Sequence, residues 1–288
     1  MTISFVILHY QNIKDTINCI NDIKKLKHNE EQIIRIILVD NKSPNNTGLE
    51  LEKMYKNDNM IKVILLDQNM GFSKANNIGY LEAKKQKSDI IAVINNDILF
   101  DDKDFINNLM LKKCNADILS PNIIDLNGNH QNPMKSVPYS IKKAKKNLIF
   151  ETFYYISLQI YGFRRIAYNL VEKHEKKWFE RYYTENQKIM DKDFVPYGAF
   201  IIFMNNWIKN EDIAFPSDSF MYVEEDWLKV YADRKKYIIR YNEKLIVKHL
   251  NGSSTINSYK DKYKLNKFRT RNKIQALKKY IDMLKIYY

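Results

Sequence analysis

Glycine is scarce in this chain, 7 of 288 residues, and so few turn-formers argue against a turn-dense all-β barrel. Cysteine is scarcer still. Cys19 and Cys114 stand far apart in no CxxC arrangement, which excludes a disulfide scaffold or a cysteine zinc site and points to a reducing compartment. Cys19 falls on an expected helix and reads as a core thiol. No apolar run reaches the roughly 18 residues that a membrane-spanning helix requires. The N-terminus, MTISFVILHYQN, lacks a basic leader and a small-residue cleavage site, so it reads as a strand rather than a signal peptide. No internal repeat or low-complexity linker divides the chain, and the expected location is the cytoplasm.

What is present is core material and positive charge. Hydrophobic residues make up 45% and aromatics 13%, enough for one large α/β domain with an appendage and too much for wholesale disorder. The net charge is +13, and it is unevenly spread. Pro133–Arg181 carries eleven basic and four acidic residues, and Thr255 to the end carries ten basic and two acidic. The remainder is close to neutral. Two basic segments of this kind suit nucleic acid or an anionic membrane surface.

The first half alternates strand and helix. Apolar strands are expected at 4–10, 33–40, 62–69 and 89–97, with helices at 14–26, 48–55, 73–87 and 104–114 between and after them. Continuous Ile/Val/Leu strands separated by helices predict an α/β fold with a mostly parallel sheet covered on both faces. In such sheets ligands bind beyond the carboxyl ends of the strands. The polar residues obey that rule: His9-Tyr10, Asp40-Asn41, Asp67-Gln68-Asn69 and Asn95-Asn96-Asp97 each follow an apolar strand. The last group stands inside AVINNDILF, where a carboxylate so close to the core needs a partner, water or a metal.

Beyond residue 130 the pattern changes. Residues 140–181 mix aromatic and basic residues and predict one or two amphipathic helices. A strand is expected over 194–205, a helix entered through its acidic end over 221–236, two short strands about a turn over 237–250, and a basic helical tail from Tyr259 to Tyr288.

Six motifs recur in a telling order: ILHYQN, LVDNKS, NMGFSKANNIG, VINND, MYVEEDW and VKHLNGSS. Together they resemble the large inverting glycosyltransferase family 2, with its GT-A fold, which contains bacterial capsule, O-antigen and rhamnosyl transferases. The resemblance covers residues 2–130 well and 194–255 less closely. It implies a GT-A domain over 1–255, made of a nucleotide-sugar-binding half (1–130), a basic and aromatic helical insertion (133–193) and an acceptor half (194–255). Residues 256–288 would form a basic helical extension.

The resemblance also implies site residues. Tyr10, Asp40 and Asn41 would flank the nucleoside, with a cap on the SPNNTG turn the lesser alternative for Asp40. Gly71, Asn76 and Asn77 would lie toward the sugar and diphosphate, with Asn95 and Asn96 on the same rim. Asp97 matches the second acid of the family's Asp-any-Asp metal motif, and Asn95 stands where the first acid is usual. His249 would join Asp97 on Mg²⁺ or Mn²⁺, while outside the resemblance it is an ordinary loop histidine. Asp226 would be the catalytic base, with Glu225 a second candidate, and the three acids of Glu224-Glu225-Asp226 also suit a helix N-terminus. Gly198 marks a close backbone approach or a bulge.

The implied activity is transfer of a sugar from a nucleotide-diphosphate donor, expected to be a UDP-sugar, to a glycan or lipid-linked saccharide in surface polysaccharide synthesis. The enzyme would sit on the inner face of the cell membrane. A sugar nucleotidyltransferase would share the strand-end nucleotide site, but ILHYQNIKDT lacks the glycine-rich loop ending in Arg and Lys typical of such enzymes. For nucleic acid no recognised module is visible. The basic, aromatic 140–181 segment suits a membrane-interface helix or the solvated face of a helical hairpin.

Overall fold

The computed structural model describes residues 1–111, 115–174, 194–250 and 261–287. Among them an eight-stranded sheet forms the centre of the molecule. Its strands are β1 (Thr2–His9), β2 (Ile33–Asp40), β3 (Ile61–Leu65), β4 (Ile90–Asn95), β5 (Ile98–Leu99), β6 (Ile118–Asp125), β7 (Phe200–Phe203) and β8 (Ile239–His249). They lie in the order β3-β2-β1-β4-β7-β6-β8-β5. The half β3-β2-β1-β4 is parallel throughout. β7 enters antiparallel between β4 and β6, β6 and β8 run parallel, and β5 pairs antiparallel with the end of β8.

Helices α1 (Ile13–Lys24), α2 (Thr47–Tyr55), α3 (Phe72–Lys85) and α4 (Phe105–Leu111) follow the early strands. They bury the alternate faces of the sheet: Phe5, Ile7, Ile36 and Leu38 pack into one core, and Val6, Ile37 and Val39 into the other. Asn12 starts α1 by accepting the Asp15 N–H. Cys19 of α1 is fully buried, as its place on the apolar face requires.

The later half differs in detail from the sequence reading. β6, ILSPNIID, is a strand the pattern did not suggest, because Pro121 and Asn122 interrupt its apolar run. β8 is one strand rather than two. The turn expected within it is replaced by a register shift, in which Glu243–Leu245 are taken up between the pairs Pro121–Asn242 and Asn122–Ile246. The strand expected over 194–205 narrows to β7, and α6 (Asn205–Asn210) begins where it was to end.

The insertion contributes α5 (Ile141–Gln159), capped by Ser140, and a helical stretch over 164–174. α7 (Glu224–Arg234) and α8 (Lys262–Tyr287) complete the described helices, and Ala144, Val230, Tyr280 and Ile281 pack α5, α7 and α8 together. The expected helix end at 112–114, residues 175–181 of the 140–181 segment, residues 251–260 and Tyr288 lie outside the described residues.

Candidate active site

Parallel pairing in register sets His9 level with Asp40, and Leu8 level with Asn95, so three strand ends share one rim. The side chains there mostly hold one another. Asp40 accepts from the Ser43 N–H at 3.2 Å and the Ser43 hydroxyl at 2.5 Å, so it caps its own turn. His9 bridges Thr16 (2.7 Å) and Thr47 (2.9 Å), and its burial drives its pKa down to about 4 against the opposing charge of Asp40. Asn41 accepts from the Met70 N–H and donates to the Gly71 carbonyl, pinning the loop ahead of α3. Gly71 has φ +79, and a Cβ there would stand 2.1 Å from the Phe220 carbonyl oxygen, so the turn requires glycine.

The neighbouring asparagines of α3 have opposite surroundings. Asn77 accepts from the N–H groups of Ala214 and Phe215 and donates to the Phe215 carbonyl. Asn76 is buried one turn from the helix start, yet neither its amide nitrogen nor its carbonyl oxygen makes a hydrogen bond, nor does the buried Ser73 hydroxyl. Orphaned buried polar atoms beside a helix N-terminus are where an anionic ligand group finds donors. Asn96 turns inward and donates to the Thr16 hydroxyl at 2.9 Å. Tyr10 and Asn95 remain half-buried at their strand ends.

The pairing of Ile98 with His249 brings the two expected metal ligands together. His249 Nε2 lies 3.2 Å from Asp97 Oδ1, with both side chains buried. His249 Nδ1 contacts Gln131 Oε1 at 2.8 Å. With that oxygen accepting, Nδ1 donates to it, which leaves Nε2 as the ring nitrogen that faces the Asp97 carboxylate. An imidazole nitrogen and a carboxylate oxygen held this close are a ligand pair that a divalent cation can take. Among the described residues no cluster of three or more His, Cys, Asp and Glu is gathered for a metal. A hard divalent cation that draws its remaining oxygens from phosphate and water is compatible with two protein ligands.

One short segment ties this pair to the acids of α7. Ala199 accepts from the Asn95 N–H, the Tyr197 ring stands 5.8 Å from the His249 ring, and the Gly198 N–H donates to Glu225 Oε1 at 3.3 Å. A Cβ on Gly198 would meet that same oxygen at 2.7 Å, so a larger residue there would push the Glu225 carboxylate aside.

α7 is entered through Tyr222 (φ 75) and Val223 (φ 66). Both are left-handed, and such residues cost about 1–3 kcal/mol each. Asp226 is held by Lys135 Nζ and by the Tyr139 N–H, each at 2.6 Å. Burial pushes all three carboxyls of Glu224, Glu225 and Asp226 upward in pKa. For Glu224 the neighbouring Glu225 charge adds to this, and for Glu225 and Asp226 the Lys135 ammonium opposes it.

Lys135 and Gln131 escaped the sequence reading. They lie in HQNPMK, a polar loop with no periodicity, and only the folded chain shows that it runs beneath both His249 and Asp226. The Asn-Pro pair marks a turn there and nothing more.

A family model described as "Glycosyl transferase family 2" matches residues 4–210. No curated protein matches. Among solved structures, S. aureus TarS 1-349 in complex with UDP-GlcNAc superposes with a TM-score of 0.55 at 15% identity, covering 90% of this chain and 62% of that one. TarS 1-349 alone gives 0.54 at 15% identity, covering 87% and 60%. The mannosyltransferase PcManGT from Pyrobaculum calidifontis, in complex with GDP-Man and Mn²⁺, gives 0.51 at 10% identity, covering 97% and 69%. This chain thus spans about 60% of TarS 1-349 and 37% of the longer TarS structure it also matches. These likenesses carry the GT-A-like fold, a mostly parallel sheet flanked by helices. With the family model spanning most of the sequence and the strand-end rim in place, the chain belongs to glycosyl transferase family 2.

Proposed function

We propose that this protein is an inverting, metal-assisted glycosyltransferase. It takes a sugar from a nucleoside-diphosphate donor, a UDP-sugar, and passes it to a lipid-linked saccharide during surface polysaccharide synthesis at the inner face of the cell membrane. The observation that carries the reading is the Tyr197–Ala199 segment, which joins the Asp97–His249 pair to Glu225. Solved relatives that hold UDP-GlcNAc, or GDP-Man with Mn²⁺, support the donor class. Among the described residues no helix is long and apolar enough to cross a membrane, so the reading is of a peripheral enzyme.

Asp97 and His249 would hold Mg²⁺ or Mn²⁺, which supplies positive charge to the departing diphosphate. Asn76 and Ser73, buried and unsatisfied, offer hydrogen bonds to the donor near the α3 N-terminus. Tyr10 and Asn95 border the nucleoside side. Asp40, Asn41, Asn77 and Asn96 act chiefly by fixing the loops that border the donor.

In the transfer an acceptor hydroxyl oxygen forms a bond to the anomeric carbon as the bond from that carbon to the diphosphate oxygen breaks. A carboxylate on the opposite face takes the hydroxyl proton. Surroundings favour Glu225 over Asp226 for this work. Asp226 already has both oxygens engaged, by Lys135 and Tyr139. Glu225 is half-buried, held by backbone N–H groups with no side-chain cation bonded to it among the described residues, and raised in pKa by burial, so it is poised to take a proton.

A panel of nucleotide sugars assayed with Mn²⁺ for nucleotide release and thermal shift tests the reading. One donor giving metal-dependent turnover is expected. Silence across the panel, with tight and salt-sensitive DNA binding instead, would overturn it.

A further inference from the structure

Half of the eighteen large hydrophobic side chains exposed among the described residues lie between Ile149 and Leu170. α5 packs Ala144, Leu148 and Leu158 inward against the α7 and α8 side of the molecule. On the opposite face Ile149 (58% exposed), Phe153 (67%), Ile156 (50%) and Ile160 (48%) recur at four- and three-residue steps. A helix apolar on two opposite faces requires cover on both. Traced back one turn at a time, the outer stripe continues into Lys142, Lys145 and Lys146.

The helical stretch 164–174 repeats the design. Tyr168 faces the start of α8, with its ring 5.7 Å from that of Tyr263, while Ile166 (57%) and Leu170 (64%) point outward beside Arg165. Phe150 and His174 approach each other at 6.5 Å, so the two helices lie side by side with their apolar stripes on the outside.

The charges around this patch decide what covers it. Of its two acids on the described helices, Glu151 pairs with Lys273 at 3.3 Å, and the exposed Glu172, which accepts from the Tyr168 hydroxyl, stands alone against the exposed Lys142, Lys145, Lys146, Arg165 and Lys173. The outward charge is therefore cationic. A second copy of this chain laid on the patch would bring lysines and arginines against their own kind or against bare apolar surface. An anionic bilayer meets both needs at once, taking the aromatic and aliphatic stripe at the acyl boundary and the ammonium groups among its headgroups.

We propose that α5 and the 164–174 helix form a membrane-docking face for anionic phospholipid. They lie in the plane of the bilayer, with Ile149, Phe153, Ile156 and Leu170 inserted. The face is coupled to the acids of α7: the Tyr139 N–H holds Asp226, and α5 begins at the next residue but one. Docking thus brings the acceptor side of the molecule to the bilayer surface, whatever sugar is moved.

Vesicle co-sedimentation of the full chain tests the proposal, using phosphatidylcholine alone and phosphatidylcholine mixed with phosphatidylglycerol. Binding is expected only to the phosphatidylglycerol vesicles and should weaken with salt. The F153D/I156D variant should lose affinity by about tenfold or more, and the K142E/K145E/K146E variant by a similar factor. Both changes are at exposed positions, so melting temperature should hold. Wild type that ignores phosphatidylglycerol vesicles, or variants that bind as wild type does, would overturn the proposal. So would a wild-type dimer that F153D/I156D dissolves while neither protein binds vesicles. Vesicle binding needs no nucleotide, so its failure and a failure of the donor panel are separate results.

Discussion

On the β1–β3 side of the rim, Asn41, Asn77 and Asn96 give their amides to neighbouring loops and helices, and Asp40 gives its carboxylate to Ser43. On the β4–β8 side, Asp97 meets a histidine nitrogen that makes no hydrogen bond, and Glu225 sits in a cluster of acids whose protons burial holds on. The two regions use the same polar residue types for opposite ends. The first is satisfied and rigid, which suits shape. The second is left with unmet electrostatic demand, which suits chemistry. Asn76 and Ser73 are the exceptions on the first side, and they are the groups left for a ligand.

The largest effect that would break this contrast is at the acids. Glu225→Gln should cut turnover by a factor on the order of 10²–10⁴, with donor binding and melting temperature kept. In wild type, activity should rise with pH through a limb above the ordinary carboxylate range, because the working form is the deprotonated one and burial holds the proton on. Asp226→Asn should act differently. It leaves Lys135 facing a neutral amide and should cost about 3 kcal/mol of stability, seen in chemical denaturation. An Asp226→Asn protein of full stability and no turnover would return the base to Asp226.

The next effect is at the cation pair. Asp97→Ala and His249→Ala should each abolish the thermal shift given by Mn²⁺ with donor, and with it metal-dependent turnover. Retention of that shift in either variant would remove that residue from the ligand set.

The adjacent asparagines sharpen the comparison at smaller scale. Asn77→Ala loses three hydrogen bonds to the 214–215 backbone and should destabilise by roughly 1–3 kcal/mol, with donor affinity nearly unchanged. Asn76→Ala should leave stability level or higher and weaken donor binding, read by titration calorimetry. The last effect is read in pH rather than at the site. His9 is held near pKa 4 in the folded chain and near 6.5 unfolded, so the unfolded chain takes up the proton first. Its contribution is complete above pH 6.5 and is lost as pH falls toward 4, by up to about 3 kcal/mol. Replacing His9 with Gln should flatten that slope.

The parallel half of the sheet could be read before folding because β1, β2 and β4 are unbroken Ile/Val/Leu runs ending in polar residues. Asp97 and His249 were readable as motif positions. Their 3.2 Å approach was not, since it depends on β5 pairing with a strand that read as two short strands about a turn. β6 was hidden by Pro121, and Lys135 by a loop with no period. Burial of Asp226 is likewise a tertiary fact: three acids at a helix start look alike in sequence, and only the arrival of the 131–139 loop separates them.

The pairing of Ile98 with His249 has a consequence for synthesis. The strands of β3-β2-β1-β4 have all emerged by residue 95, but the loop ahead of α3 and Asn77 still wait for Phe220 and the 214–215 backbone. The cation pair needs a strand made more than half the chain later, with the large loop-closure entropy that implies. During translation the donor rim and the cation pair are therefore both finished only in the last third of the chain. A nascent chain that ends before that point is expected neither to hold a donor nor to cleave one.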